Sequence, residues 1–342
     1  MNQSQTSAKK AAVLGAGSWG TALAQLLGRK GMQVTMWARE PEVVQSINEK
    51  HENDIFLPDI PLSENITASG DVQAVVDNVD LVLCVIPTQF LRSFLVTNRE
   101  VFPPGVPFVS CSKGIENISL MTPMEIMLDE LPGKYHKFLA VLSGPSFAKE
   151  VGLGWPTNVT AAAKDIEVAA SVQDMVSDFY FRVYTSNDTI GVEMGGASKN
   201  VIAIAAGGSD GVGFGHNARA GLITRGLAEI TRLAVKKGGN PLTLAGLSGM
   251  GDLVLTCTGD LSRNRQVGHR LARGESIDDI ITSMRMVAEG VKTAKSMYNL
   301  SRKIDVDMPI CDQVYAALYD AKPIDEVIST LLGRPLGPEI RG

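Results

Sequence analysis

The sequence predicts an α/β fold: a doubly wound, mostly parallel sheet domain over residues 1–189, followed by an all-α domain over residues 190–342. Three observations predict it. Short apolar runs recur through the first half, some of them closed by glycine or proline. Helical patterns separate most of these runs. After about residue 190 the strand-like runs stop and helical patterns follow one another. Strands buried on both faces of a parallel sheet read as continuous apolar runs, and their alternation with helices is the mark of that sheet.

The first unit is the most informative. Ala11-Ala12-Val13-Leu14 reads as a short buried strand, and Gly15-Ala16-Gly17-Ser18-Trp19-Gly20 follows at once. Residues 21–30 read as a helix with Leu23, Leu26 and Leu27 as its apolar positions, closed by Gly31. Residues 33–37 form a second strand and residues 40–50 a second helix. A G-x-G-x-x-G between strand and helix is the Rossmann-type dinucleotide fingerprint: Gly15 makes the tight turn, Gly17 admits a pyrophosphate, and Gly20 lets helix and strand pack closely. The amides and positive dipole end of the helix then face the phosphates. A plain glycine turn does not explain three glycines at this spacing.

The alternation continues. Leu81-Val82-Leu83-Cys84-Val85-Ile86 is an apolar run ended by Pro87, and Phe108-Val109-Ser110-Cys111 is another. Phe138-Leu139-Ala140-Val141-Leu142 ends shortly before Gly144-Pro145. Residues 158–163 and 183–185 read as later strands, with a helix over 166–176. Beyond residue 190, helices are expected over 192–206, 218–237, 264–273, 291–302 and 313–319.

Composition narrows the function. The 342 residues are 44% hydrophobic and 20% charged, a globular profile. A net charge of −5 argues against a general nucleic-acid surface but allows a local basic pocket. Cys84, Cys111, Cys257 and Cys311 are far apart, and His51, His136, His216 and His269 are equally scattered, so neither a disulfide framework nor a metal site is read. No run of about 18 apolar residues is available to span a membrane. Lys9-Lys10 before an apolar stretch and Ala22-Leu23-Ala24 also fit a signal peptide, but the same residues fit the nucleotide-binding unit better, and a cytoplasmic location is expected.

Four segments carry candidate chemistry. The second strand ends Trp37-Ala38-Arg39; an acidic residue here would bind the ribose hydroxyl of NAD, whereas Arg39 suits the 2′-phosphate of NADP. Arg39 is alternatively a surface residue, and the adjacent Glu40 leaves NAD open. Lys199 is the one basic group in a helix of small and apolar residues, Met194 onward, that should be buried. A buried lysine has a depressed pKa and exchanges protons near neutrality; the alternative is a lysine that reaches solvent or pairs with Glu193. Gly246-Leu247-Ser248-Gly249-Met250-Gly251-Asp252 is a glycine-rich turn leading into a carboxylate. Ser262-Arg263-Asn264 opens a helix with Ser262 as N-cap, an arrangement that suits a phosphate, or a merely capped and charged helix start.

These blocks together resemble the bacterial NAD(P)-dependent glycerol-3-phosphate dehydrogenases. The likeness runs from about Lys10 to Arg334 through GAGSWGTALA, FLPD, SKGIE, SGPSFAKEV, GGASKNVIAIAAG, NARAGLITRGLAE, GMGDLVLTCT, SRNRQVG and VAEGVKT. The resemblance implies reduction of dihydroxyacetone phosphate to sn-glycerol 3-phosphate for phospholipid synthesis. It implies Lys199 as proton donor and acceptor, and Lys113 at the junction of substrate and cofactor. It further implies substrate contacts at Gly144, Ser146, Asp252, Ser262, Arg263 and Asn264. Cofactor contacts are implied at Ser18, Trp19, Arg39, Ala148, Arg263, Val287 and Glu289, beside Gly15, Gly17 and Gly20. The cofactor is NADP or NAD, with NADPH favoured through Arg39, and a homodimer is expected. Two other readings compete. A different two-domain dehydrogenase acting on a hydroxy acid or sugar acid need not combine SKGIE, GGASKN and SRNR. A dinucleotide-sensing regulator needs no buried lysine.

Overall fold

The computed structural model describes residues 8–284 and 288–339. Eight strands form one sheet: β1 Lys10–Leu14, β2 Gln33–Trp37, β3 Ile66–Ser69, β4 Leu81–Cys84, β5 Phe108–Ser110, β6 Leu139–Ser143, β7 Thr157–Ala163 and β8 Phe181–Ser186. Their order is β3-β2-β1-β4-β5-β6-β7-β8. All pairings are parallel except β6 with β7, which run antiparallel. The order reverses between β1 and β4, and a ligand of a doubly wound sheet binds at the carboxyl ends of the strands beside such a reversal.

Alternation along β1 explains why the sheet is covered twice. Ala11 and Val13 enter the core on one face, with Leu23, Leu26 and Leu27 of the helix Ser18–Arg29. Ala12 and Leu14 enter the core on the other, with Leu91, Phe108 and Tyr135. Successive side chains of a strand point to opposite faces, so an uninterrupted apolar strand needs two covering layers. β3 was not legible in the sequence: Ile66-Thr67-Ala68-Ser69 is short and only two of its residues are buried.

From Thr189 onward the chain is helical, and a separate core forms there around Met194, Val201, Ile202, Ile230, Leu253 and Met297. Its axis is the 23-residue helix Thr189–Gly211, started by Asp188, whose carboxylate accepts from the Gly191 amide at 2.8 Å. The helix is longer at both ends than the 192–206 expected. Gly207 and Gly208, just past the expected end, are helical because of packing. A Cβ on Gly207 would stand 1.9 Å from the Arg265 carbonyl oxygen, and one on Gly268 would stand 1.9 Å from that of Ile204. The helix Arg263–Leu271 therefore lies backbone to backbone on the long helix, which fixes where its N-terminus points. No helix among the described residues is long and apolar enough to cross a membrane.

Candidate active site

The dinucleotide end of the site follows from three glycines. Gly15 has φ +117°, and a Cβ there would meet the Val85 carbonyl oxygen at 3.0 Å. A Cβ on Gly20 would stand 1.9 Å from the Gly15 carbonyl oxygen, so the helix Ser18–Arg29 can begin this close to β1 only with glycine. A Cβ on Gly17 would meet nothing within 4 Å. Gly17 is also the N-cap, and being glycine it offers this helix no capping side chain. A helix start with open space beside Gly17, at the β1–β4 reversal, fits the pyrophosphate of a dinucleotide.

The neighbouring positions are less uniform. Ser18 donates its hydroxyl to the Phe56 carbonyl at 2.6 Å, and Trp19 packs its ring on the sheet core with its indole N–H buried and without a hydrogen-bond partner among the described residues. Arg39 follows β2, is exposed, and holds Glu40 at 2.6 Å. Ala148 opens the helix Ala148–Leu153. Val287 lies outside the described residues.

The reacting end is a buried carboxylate between two lysines. Lys199, from the middle of the long helix, donates to Asp252 Oδ1 at 2.6 Å and to Thr256 Oγ1 at 2.9 Å. Lys113, from the segment after β5, donates to Asp252 Oδ2 at 2.6 Å and to the Gly144 carbonyl at 3.1 Å. Ser146 donates to the same carbonyl at 2.9 Å. The glycine-rich stretch before Asp252 is a wide helical turn, Leu247–Gly251, running into the helix Asp252–Thr258. That turn sits against the long helix because Gly195 carries no side chain: a Cβ would lie 2.4 Å from the Ser248 carbonyl oxygen. Glu193 is not the partner of Lys199; its carboxylate accepts from the Met124 amide at 2.8 Å.

Electrostatics follow from this burial. Desolvation pulls the Lys199 ammonium down to about 8, against the pull of Asp252 in the other direction, and Lys113 adds to the lowering. Thr256 was missed in the sequence. The available signal was its spacing, four residues after Asp252, which puts both on one helix face.

A third cation stands at a helix start. Ser262 caps the helix Arg263–Leu271 by accepting from the Arg265 amide at 3.3 Å. Arg263 makes no hydrogen bond or ion pair within 4 Å among the described residues, and burial lowers its pKa. Asn264 Oδ1 accepts from the Gly290 amide at 3.0 Å, tying this helix start to that of Glu289–Lys303. Burial raises the Glu289 carboxyl, and the charges of Arg263, Lys113 and Lys199 partly oppose that rise. The two ends of the site thus share one electrostatic neighbourhood. With Lys292, which also acts on Glu289, four cations against two carboxylates leave an excess of positive charge, and the guanidinium of Arg263, without an ion pair among the described residues, is the group placed to meet an anion.

The chain matches the N-terminal part of the family described as NAD-dependent glycerol-3-phosphate dehydrogenase over residues 10–169, and its C-terminal part over residues 188–329. It belongs to that family. Membership makes it an NAD(P)-dependent oxidoreductase. It is 53% identical to glycerol-3-phosphate dehydrogenase [NAD(P)+] of Geobacter sp. (strain M21), over 97% of this chain and 99% of that one. The enzyme of the same name from Myxococcus xanthus is 50% identical over 97% of this chain and 99% of its own. The crystal structure of glycerol-3-phosphate dehydrogenase from Coxiella burnetii superposes with a TM-score of 0.90 at 35% identity, covering 96% of this chain and 99% of that one.

Proposed function

We propose that this enzyme reduces dihydroxyacetone phosphate to sn-glycerol 3-phosphate, reversibly, with Lys199 as the proton donor and Arg263 reading the phosphate. The observation that carries the reading is the Lys199–Asp252–Lys113 chain, near a guanidinium that makes no hydrogen bond or ion pair among the described residues. Gly15, Gly17 and Gly20, with the amides of Ser18 and Trp19, would hold the pyrophosphate of the nicotinamide cofactor. That cofactor, when bound, supplies the hydride that reaches the ketone carbon.

The protein's own part is electrostatic and protonic. Lys199 donates a hydrogen bond to the ketone oxygen and then the proton as that oxygen becomes an alkoxide. Its lowered pKa makes the proton transferable near neutral pH. Asp252 holds both lysines by opposite oxygens, so neither ammonium can rotate without breaking a charge-assisted bond. Ser262, Arg263 and Asn264 supply helix-terminal amides, a guanidinium and a side-chain amide for the phosphate. Gly144 and Ser146 keep Lys113 facing the substrate.

Arg39, directly after β2, suits the 2′-phosphate of NADPH, and the adjacent Glu40 leaves NAD usable as well. The product supplies glycerophospholipid synthesis. The enzyme works in the cytoplasm as a homodimer; its four cysteines are free and buried, as suits a reducing compartment. The deciding experiment follows NADPH and NADH oxidation spectrophotometrically with dihydroxyacetone phosphate and with pyruvate-type acids. Turnover of the phosphorylated ketone alone supports the reading. Turnover of the acids instead would move the enzyme to another substrate class.

A further inference from the structure

Lys113 reaches Asp252 from a segment that is tied to both domains. The segment leaves β5 and passes Ser112, whose hydroxyl donates to the Ile86 carbonyl at 2.5 Å. Gly114 has φ +144°, a conformation that favours glycine, and a Cβ there would stand 3.0 Å from Thr88 Oγ1 and 3.4 Å from Thr293 Oγ1. Thr88 opens the helix Thr88–Asn98 of the sheet domain, and Thr293 lies in the helix Glu289–Lys303 of the helical domain. The chain therefore runs between the two domains. The next residue, Ile115, is fully buried, and its side chain belongs to the core of the helical domain with Met194 and Met297.

The Ile115 carbonyl is the junction. It accepts from Gln89 Nε2 at 2.7 Å and from Ser296 Oγ at 2.8 Å, one donor from each domain. Gln89 holds a second point as well: its Oε1 accepts from the Asn117 amide at 3.0 Å. One primary amide thus satisfies a carbonyl and an N–H two residues apart. Neither an ionised carboxylate nor an ammonium can do this, since the first only accepts and the second only donates. Arg92, one turn further along the same helix, holds Glu116 at 3.0 Å. Backbone groups left buried without partners cost free energy, so these bonds set where the segment lies.

We propose that Gln89 is a positioning residue for the reaction: by holding residues 115–117, it places the Lys113 ammonium on Asp252 and the Gly144 carbonyl. This rests on the reading of Lys113 and Lys199 as groups of the reaction. Lys113 stands two residues before the clamped carbonyl, so release of that carbonyl frees the lysine backbone to move. A shift of about 1 Å would stretch the 2.6 Å bond to Asp252 beyond hydrogen-bond reach, and a misplacement of that size costs about 10²-fold in rate. The consequence reaches Lys199 too. The charges facing it are those of Asp252, Lys113 and Glu289, and of these only Lys113 lowers its pKa. Withdrawal of Lys113 leaves the two carboxylates to pull that pKa upward.

The test follows reduction of dihydroxyacetone phosphate by the full chain with NADPH across pH, in the wild type, Gln89→Met, Lys113→Met and the two substitutions combined. Methionine fills nearly the same volume without the amide, and Gln89→Met should lower kcat/KM about 10-fold to 100-fold. Its alkaline limb should move to higher pH. In the Lys113→Met background Gln89→Met should cost little more, because its effect passes through the missing lysine. Gln89→Glu keeps an acceptor for the Asn117 amide but loses the donor to Ile115, and should fall between wild type and Gln89→Met. If Gln89→Met does not fold, Gln89→Glu carries the same comparison. Wild-type turnover in Gln89→Met, an equal loss in both backgrounds, or an alkaline limb that stays in place overturns the positioning role alone. Wild-type turnover in Lys113→Met overturns the reading of the site, and the positioning role with it.

Discussion

Lys199 and Asp252 meet at 2.6 Å in the interior, the ammonium from one helix and the carboxylate from the first residue of another. Asp252 gives its second oxygen to Lys113 at the same distance, so one carboxylate sets the position of two cations. A buried ion pair of this kind contributes little net stability, since desolvation offsets attraction. Its value is positional, and that directs the first prediction. Lys199→Met should fold and bind NADPH but lose roughly 10²-fold to 10⁴-fold in turnover, the range for a lost general acid–base group. Turnover near the wild-type value would remove Lys199 from the mechanism.

With Lys199 as the proton donor, reduction of the ketone requires its protonated form, and burial pulls that ammonium down to about 8. The kcat/KM for reduction should therefore be flat below that pH and fall above it, while the reverse oxidation should rise through the same pH. Asp252 pulls the Lys199 pKa upward. Asp252→Asn removes that pull and should move both limbs to lower pH. Limbs that stay where they were in Asp252→Asn would assign the titration to another group.

The readable parts of this molecule were those where local chemistry and tertiary role coincide. The glycines at 15, 17 and 20 act through their own backbone, so their spacing carried the fold and the cofactor together. Lys199 was legible because an ammonium in a helix of glycine and alanine has no local reason to be there. Local chemistry did not pair it with Asp252, which lies 53 residues away; that link came with the family resemblance, and the packing of Gly195 on the Ser248 backbone helps bring the two together. Thr256 was hidden for the same reason. Helix length was misread at Gly207 and Gly208 because the reward for glycine there is contact with another backbone, which no propensity records.

That contact supports a stability prediction. Gly207→Ala would place a methyl group 1.9 Å from the Arg265 carbonyl oxygen, so the helix Arg263–Leu271 must shift. Overpacking of this kind costs about 1–3 kcal/mol and more where backbone is the obstacle. Urea unfolding should show a midpoint lowered accordingly, and KM for the phosphorylated substrate should rise, because Arg263 moves with its helix. A midpoint unchanged within error would mean that the two helices are not held by this contact.

Arg39→Asp should turn preference from NADPH toward NADH. A carboxylate repels a 2′-phosphate and accepts from a 2′-hydroxyl. The exposed setting of Arg39 predicts that the change leaves folding intact, since a surface pair with Glu40 is worth about 0–1 kcal/mol before screening. The measurement is the ratio of kcat/KM for the two cofactors. An unchanged ratio would make Arg39 a surface residue without a role in selection.

The phosphate assignment gives the sharpest test. Arg263 is a half-buried guanidinium with no hydrogen bond to another described residue, in the first residue of a helix. Unphosphorylated dihydroxyacetone has the same reacting ketone but nothing to offer this site. It should be a poor substrate in kcat as well as KM, because the remote phosphate supplies the binding energy that positions the ketone. Arg263→Ala should narrow the gap between the two substrates by weakening the phosphorylated one alone. Arg263 is also a cofactor-contact candidate, so NADPH affinity must be measured in the same variant and the comparison made at saturating NADPH. If Arg263→Ala slows both substrates by one factor under that condition, the arginine does not read the substrate phosphate, and this helix start is not the phosphate site.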